Sequence, residues 1–174
     1  SCSTILVNTT NRYGIQEDPT RRTSGTIIED RSIETKISVN LKAEDFAFRD
    51  AKLNITSHNG VVLVVGQIES ESLKLKATDI ILKASTKIKR IHNEIEIGTK
   101  PGLVSQGNDT WIATKVRASL LVDDGVPSDQ VKVIVENGTV YLMGIISEEE
   151  GDTAANLARN VSGVIKVMKV FDYI

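Results

Sequence analysis

The 174-residue sequence contains one cysteine and two histidines, and aromatic residues make up only 4% of it. A single cysteine excludes an internal disulfide and a metal site built from cysteine thiolates. No apolar run approaches the eighteen or so residues that a membrane-spanning helix needs. The net charge is −2, with 21 Lys and Arg against 23 Asp and Glu. Such a balance does not favour nucleic acid as a partner.

The sequence also lacks the motifs that carry catalysis. It has no G-x-S-x-G, no H-E-x-x-H and no phosphate-binding loop. His58 and His92 stand alone, without a carboxylate or thiolate cluster at metal-ligand spacing, so we expect both on the surface. The sequence therefore predicts a protein that is not an enzyme and that binds no cofactor and no metal.

An internal repeat dominates what is present. "IETKISVNL" from Ile33 matches "IATKVRASL" from Ile112, Asn59-Gly60 matches Asn137-Gly138, and Gly66 matches Gly144. "STKIKRIHNEIEI" parallels "VSGVIKVMKVFDYI" further along each copy. Repeats at this spacing indicate two structural units. We predict a flexible arm over 1–29, units over 30–97 and 108–174, and a linker over 98–107.

Each copy predicts the element order αββαβ. The first helix has Asp30 as its N-cap in one copy and Asn108 or Asp109 in the other. Asn-Gly suits the type I′ turn of a tight hairpin. A second helix, about 71–87 or 148–160, returns the chain so that the last strand runs parallel to the second.

This order predicts an α+β fold. Each unit has a three-stranded mixed sheet that two helices cover on one face. Alternating apolar residues such as Val131, Val133 and Val135 indicate that one face of the sheet is buried. Because each copy is shorter than 70 residues, we expect the two to support each other.

The first helix of the second copy carries more apolar residues than a core stripe requires. Ile112, Val116 and Leu120 repeat every four residues and predict the buried face. A second stripe faces away from it and comprises Trp111, Thr114, Lys115, Ala118 and Val122, with Arg117 and Leu121 beside it. The first copy has Ser32 and Lys42 in place of Trp111 and Leu121, so the fold does not require these two apolar side chains. They favour either a membrane interface or packing against the first copy.

Cys2 also has two interpretations. It is either an unmodified thiol in a polar arm or a lipid-modified cysteine of the kind found at the start of bacterial lipoproteins, where a small residue such as Ser1 precedes it. An arm of this length would let a lipid on Cys2 hold the folded part away from a membrane.

These motifs resemble a known family. The αββαβ unit with its Asn-Gly hairpin, an apolar strand ending in Gly, and the closing "VSGVIKV" resemble the BON domain. Two such units behind a near-terminal cysteine resemble the dual BON-domain outer-membrane lipoproteins, the division- and outer-membrane-stress-associated lipid-binding family. "NDTWIATKVRASLL" and "ENGTVYLMG" carry the likeness most specifically, whereas "STKIKR" departs from it in the first unit.

The resemblance implies a location and a ligand. It implies a lipid anchor on Cys2 and a position on the periplasmic face of the outer membrane. It also implies that the first helix of the second unit binds an anionic phospholipid such as phosphatidylglycerol. The residues that match that surface are Trp111, Lys115, Val116, Arg117 and Leu121.

The resulting hypothesis is a lipid-binding outer-membrane lipoprotein that supports envelope integrity at the division site. Anionic phospholipid and the membrane surface are its predicted partners, and nucleic acid is not. An alternative is a protein-interaction module that docks an envelope protein on the Trp111 face. A soluble periplasmic protein would follow if Cys2 carried no lipid.

Overall fold

The computed structural model describes residues 16–174. Cys2 and most of the predicted arm lie outside the described residues. The first unit contains helix α1 (Ser24–Glu44), short helix α2 (Phe46–Asp50), strands β1 (Leu53–His58) and β2 (Val61–Ile68), helix α3 (Glu71–Ala84) and strand β3 (Arg90–Ile97). The second contains helix α4 (Leu103–Leu121), strands β4 (Lys132–Glu136) and β5 (Thr139–Ile146), helix α5 (Glu148–Arg159) and strand β6 (Lys166–Tyr173).

The two units share one topology. Strand order is β1-β2-β3 in the first sheet and β4-β5-β6 in the second. The first pair of each sheet is antiparallel and the second pair is parallel. Two helices pack on one face of each sheet, where the stripe Ile112, Val116 and Leu120 is fully enclosed. The predicted α+β fold with mixed sheets is confirmed; α2 was not anticipated.

The hairpin turns have the backbone that the Asn-Gly dipeptide predicts. Asn59 and Asn137 both have φ of 52°, and Gly60 and Gly138 both have φ of 78°. Positive φ at both central positions defines the type I′ turn, whose twist matches that of the flanking strands.

The predicted helix caps are wrong, because both first helices begin earlier. Helix α1 starts at Ser24 with Thr23 as its N-cap, and α4 starts at Leu103 after Gly102. Asp30 and Asp109 therefore lie inside helices, where they are buried. Residues 24–29 of the predicted arm and 103–107 of the predicted linker are helical.

The expectation of one buried sheet face is also wrong, since the second face of each sheet packs against the other sheet. Every residue of β2 and β5 is buried. Val61, Leu63 and Val65 of the first unit form one cluster with apolar residues of the second unit, which are Ile134, Tyr141, Met143 and Val170. The molecule is thus a four-layer stack of helices, sheet, sheet and helices, in which each unit supports the other as expected.

Polar contacts complete the boundary between the units. The Gln67 amide donates to Glu136 at 3.1 Å, and the Asn59 amide donates to Asp172 at 2.9 Å. The Arg90 guanidinium donates to the carbonyl oxygen of Phe171 at 2.8 Å. Charged and amide groups at the edges of an apolar centre therefore fix how the two sheets lie against each other.

Both histidines lie at this boundary and are half-buried, whereas the sequence analysis expected them on the surface. Ser57 bonds to Asp30 of α1, so alternation along β1 turns His58 towards the second unit. Ile91 and Ile95 pack on the helices, so His92 likewise faces away from them. His58 Nδ1 and His92 Nε2 are buried without a hydrogen-bond partner in the part of the chain that the structure describes. Their burial follows from sheet packing that an isolated αββαβ unit would not have.

Candidate functional site

The surface of α4 that faces away from the core is largely apolar. Trp111 is 60% exposed, Leu121 73% and Val122 82%. At 100° per residue these side chains point roughly opposite to the core stripe. Large apolar groups that a fold leaves in solvent in one contiguous area mark a binding surface more often than isolated ones do.

A cation lies over the tryptophan. The Lys115 ammonium is 5.7 Å from the centre of the Trp111 ring, within range of a cation–π interaction. The same nitrogen donates to the carbonyl oxygen of Ser162 at 2.7 Å. This contact ties the helix to the loop that precedes β6 and holds the ammonium beside the indole.

The predicted lipid-contact residues of this helix fall into three groups, which are an exposed face, a buried residue and an arginine on the flank. Trp111, Thr114, Ala118, Leu121 and Val122 are exposed, and Lys115 is half-buried beside them. Val116 is fully buried in the core, so it cannot contact a ligand on this surface. Its inclusion came from a match in sequence alone, whereas the period of the helix turns it inward.

Arg117 lies on the flank of the helix towards β4. Its guanidinium donates to the carbonyl oxygen of Val133 at 3.1 Å. On a helical projection it is about 120° from Trp111. The two cations of the helix are therefore not equivalent: Lys115 accompanies the indole and Arg117 is engaged with the edge of the sheet.

The early start of α4 adds residues that the sequence analysis missed. Leu103 and Val104 are 85% and 89% exposed. Val104 precedes Trp111 by seven residues, so the two lie almost in line along the helix. Extending the helical period upstream from Trp111 would have found Val104, but the Gly and Pro content of 98–107 indicated a linker. Ile165, in the loop held by Lys115, is a further exposed apolar side chain.

The matching surface of the first unit has a different character. Ser32 of α1 is half-buried and Lys42 is exposed, where α4 has Trp111 and Leu121. Val39 is the exposed apolar residue at the position of Ala118. The repeat thus gives the outer face of this helix fewer large apolar side chains in the first unit than in the second.

Within residues 16–174, no helix is long and apolar enough to cross a bilayer. The same residues contain no group of three His, Cys, Asp or Glu side chains placed to hold a metal ion. Burial lowers the pKa of His58 to about 4 and also lowers the pKa of His92. Both histidines are half-buried at the sheet boundary, away from the exposed face of α4.

Comparison with known proteins gives two domain matches and several relatives. The model of the BON domain matches residues 29–99 and 108–174. A 21 kDa hemolysin of Actinobacillus pleuropneumoniae is 37% identical over 153 residues, which are 88% of this chain and 78% of the relative. Outer membrane lipoprotein DolP of Haemophilus influenzae is 34% identical over 160 residues, 92% of this chain and 81% of the relative. Osmotically-inducible protein Y of Escherichia coli is 28% identical over 163 residues, 91% of this chain and 80% of the relative.

Proposed function

This chain belongs to the BON-domain family, and from that premise we propose that it is an outer-membrane lipoprotein whose second BON domain binds anionic phospholipid through α4. The protein sits on the periplasmic face of the outer membrane, anchored by a lipid on Cys2. It supports envelope integrity at the division site. Its relative DolP is named an outer membrane lipoprotein, which supports this location.

The outer face of α4 is the observation that carries the proposal. Five large apolar side chains on this helix and its C-cap residue, Leu103, Val104, Trp111, Leu121 and Val122, are each at least 60% exposed. Fully burying one such side chain contributes roughly 1.5–3 kcal/mol. A helix lying in the headgroup region would bury this face while its polar flanks stay hydrated. The indole suits this depth, because its apolar ring and N–H meet both environments.

Charge on and near the helix favours anionic lipid. Lys115 lies beside Trp111, and the helix N-terminus adds a partial positive charge next to Leu103 and Val104. Asp123 and Asp124 follow the C-terminal end of the helix and limit the attraction there. We therefore expect the N-terminal two-thirds of α4 to approach the anionic headgroups most closely, and added salt to weaken binding.

The lipid on Cys2 and the exposed face of α4 would act together at the membrane. A single acyl chain of myristoyl length gives only marginal and reversible membrane binding, and stable anchoring takes about two signals. A lipid on Cys2 would keep the protein at the outer membrane, and the α4 face would hold the folded part against the lipid headgroups.

Replacing Trp111 by Glu tests this surface, with Ser32→Glu as the matched control on α1. Both changes put a carboxylate at positions that the repeat makes equivalent and that lie outside the core, so both variants should keep the native circular dichroism. Losing about 3 kcal/mol of indole burial should weaken binding of Trp111→Glu to phosphatidylglycerol vesicles by roughly two orders of magnitude. Ser32→Glu should bind like the unmodified chain.

Co-sedimentation with vesicles of phosphatidylglycerol in phosphatidylcholine, against phosphatidylcholine alone, measures this binding. Trp111 is the sole tryptophan, so a blue shift of its emission on adding anionic vesicles reports insertion directly. A folded Trp111→Glu variant that binds normally would place the lipid surface elsewhere. An unmodified chain that ignores both kinds of vesicle would favour a protein partner on this face.

A further inference from the structure

A cleft lies along the boundary between the two domains, beside the face of α4 that carries Asp109, Ala113 and Arg117. It consists of two adjoining cavities of about 600 and 560 Å³, both lined by Glu34 and Glu136. Strands β1 and β4, the outer strands of their sheets, line it together with α1 and α4. Trp111 is not among the lining residues, so this cleft is a second surface, separate from the lipid-binding face.

The edge of β4 presents backbone hydrogen-bonding groups to this cleft. Glu136 and Thr139 flank a two-residue turn and pair directly, so they exchange backbone hydrogen bonds. Counting back along β4 from Glu136, every second residue exchanges backbone hydrogen bonds with β5 in this way. The N–H and C=O groups of the residues between them, Val133 and Val135, therefore point away from β5. The contact from Arg117 agrees with this direction, because its guanidinium reaches the carbonyl oxygen of Val133.

The outer edges of β1 and β4 differ in which side chains cover them. In the first domain Glu34 Oε1 accepts the backbone N–H of Ser57 at 2.9 Å and so covers part of the β1 edge. The repeat places Ala113 at the position of Glu34 and Val135 at the position of Ser57. A methyl group accepts no hydrogen bond, so Ala113 cannot occupy the Val135 amide as Glu34 occupies that of Ser57. Arg117 holds the carbonyl oxygen of Val133, so an added strand would pair first at Val135, and a strand edge that side chains leave uncovered is a template for a further strand.

We propose that the β4 edge binds an extended segment of a partner polypeptide as an added antiparallel strand. Backbone groups at an edge select an extended chain, and cross-strand side chains select its sequence. Lys132 and Glu136 stand at opposite ends of β4 and on the same side of it. The fitting segment therefore has a basic residue opposite Glu136, an acidic residue opposite Lys132 and apolar residues between. This inference does not rest on lipid binding.

The strand itself supplies a probe with this pattern. In antiparallel pairing, a peptide with the core Lys-Val-Ile-Val-Glu places its Lys opposite Glu136 and its Glu opposite Lys132. The charge-swapped peptide Glu-Val-Ile-Val-Lys places like charges opposite each other in the same register. We expect fluorescein-labelled forms of the two, titrated with the full chain without lipid, to differ in fluorescence anisotropy, with the first binding more tightly.

Ala113→Glu is the decisive variant, because it copies the residue that covers the β1 edge in the first domain. It should weaken peptide binding by about tenfold or more by taking the Val135 amide and filling the cleft. Ala113→Ser is the matched control, since its side chain is too short to reach that amide, and it should bind as the unmodified chain does.

Amide hydrogen exchange on the unmodified chain tests the site without any variant. The first peptide should slow exchange at Val135 and leave Ser57 unchanged. Unchanged exchange at Val135, equal binding of the two peptides, or full binding by a folded Ala113→Glu variant would each overturn the proposal. Light scattering that shows a dimer dissociated by Ala113→Glu would overturn it as well, by placing a second copy of the chain in the cleft. Vesicle binding is unaffected by any of these outcomes, so the two proposals fail separately.

Discussion

Two buried aspartates, Asp30 and Asp109, connect each first helix to the hairpin of its own domain. The Asp109 carboxylate accepts the backbone N–H groups of Asn137 and Gly138 at 2.8 and 2.9 Å. Asp30 does the same for Asn59 and Gly60 and also accepts from Ser57 and Arg22. Burial raises the pKa of Asp30, but these hydrogen bonds outweigh it and bring the pKa below its ordinary value. A type I′ turn exposes consecutive N–H groups, and the carboxylate satisfies them inside the protein.

Asp109→Ala should therefore destabilise the second domain. Two backbone N–H groups lose their acceptor, and each buried unsatisfied group costs about 1–3 kcal/mol. We expect the free energy of unfolding to fall by about 2–4 kcal/mol, measured by urea denaturation. Asp124→Ala, which changes an exposed residue just after the same helix, should stay within about 0.5 kcal/mol of the unmodified chain. If Asp109→Ala leaves the midpoint of urea denaturation unchanged, the turn does not depend on this carboxylate.

Helix α4 shows how the length of an element sets the size of a surface. Its 19 residues span roughly 28 Å, and the exposed apolar residues extend from the first turn to just past the last. A helix starting near Asn108 would have confined the surface to Trp111, Leu121 and their neighbours. The additional turns bring Leu103 and Val104 into line with them, next to the positive end of the helix dipole.

Val104→Asp tests this extension. The helix should persist, because an acidic residue in the first turn is favoured by the helix dipole. Binding to phosphatidylglycerol vesicles should weaken by about tenfold, which corresponds to losing roughly 1.4 kcal/mol of valine burial. Ile28→Asp, at an exposed apolar position near the start of α1, is the control and should bind normally in co-sedimentation. If both variants bind equally well, the lipid-binding surface does not extend from Trp111 to the N-terminal end of the helix.

At the scale of the whole molecule, the two sheets enclose ionisable groups between the domains. His58 lies near charges from both domains, and burial is the main reason that its pKa falls to about 4. Arg22 and Lys132 lower it further, while Asp30 and Asp172 partly oppose them. The folded protein therefore favours the neutral imidazole of His58. Protonation favours the unfolded chain, in which the histidine is in water.

This arrangement predicts a loss of stability in mild acid. The pKa of His58 is about 4 in the folded chain and ordinarily 6.5, so the unfolded chain takes up the proton first. Stability should be highest above pH 6.5 and should fall as the pH drops from 6.5 towards 4, by at most about 1.4 kcal/mol per unit for one histidine. His58→Gln should flatten this part of a urea-denaturation profile. A wild-type profile that is already flat there would contradict the burial of a neutral His58.

Local pattern in the sequence is sufficient for the order of the αββαβ elements and for the turns, although not for the short helix α2. Asn-Gly pairs between alternating apolar runs favour the positive φ of a type I′ turn, and Ile112, Val116 and Leu120 share one helix face at any helix length. The exposed apolar stripe was predictable for a further reason. The first copy acts as an internal comparison, and Ser32 opposite Trp111 shows that the fold does not need the indole.

Contacts between distant segments decided the rest. Asp30 and Asp109 look like helix caps in sequence, and only the approach of each hairpin explains why they are buried mid-helix. His58 and His92 look like surface residues until the second face of each sheet is covered by the other domain. The difference between the β1 and β4 edges depends on Ala113 packing beside Val135, 22 residues along the chain, where the first domain has Glu34 beside Ser57. Sequence periodicity reports which side of an element is apolar, but tertiary packing determines what that side meets, because burial depends on groups that the chain brings together from far apart.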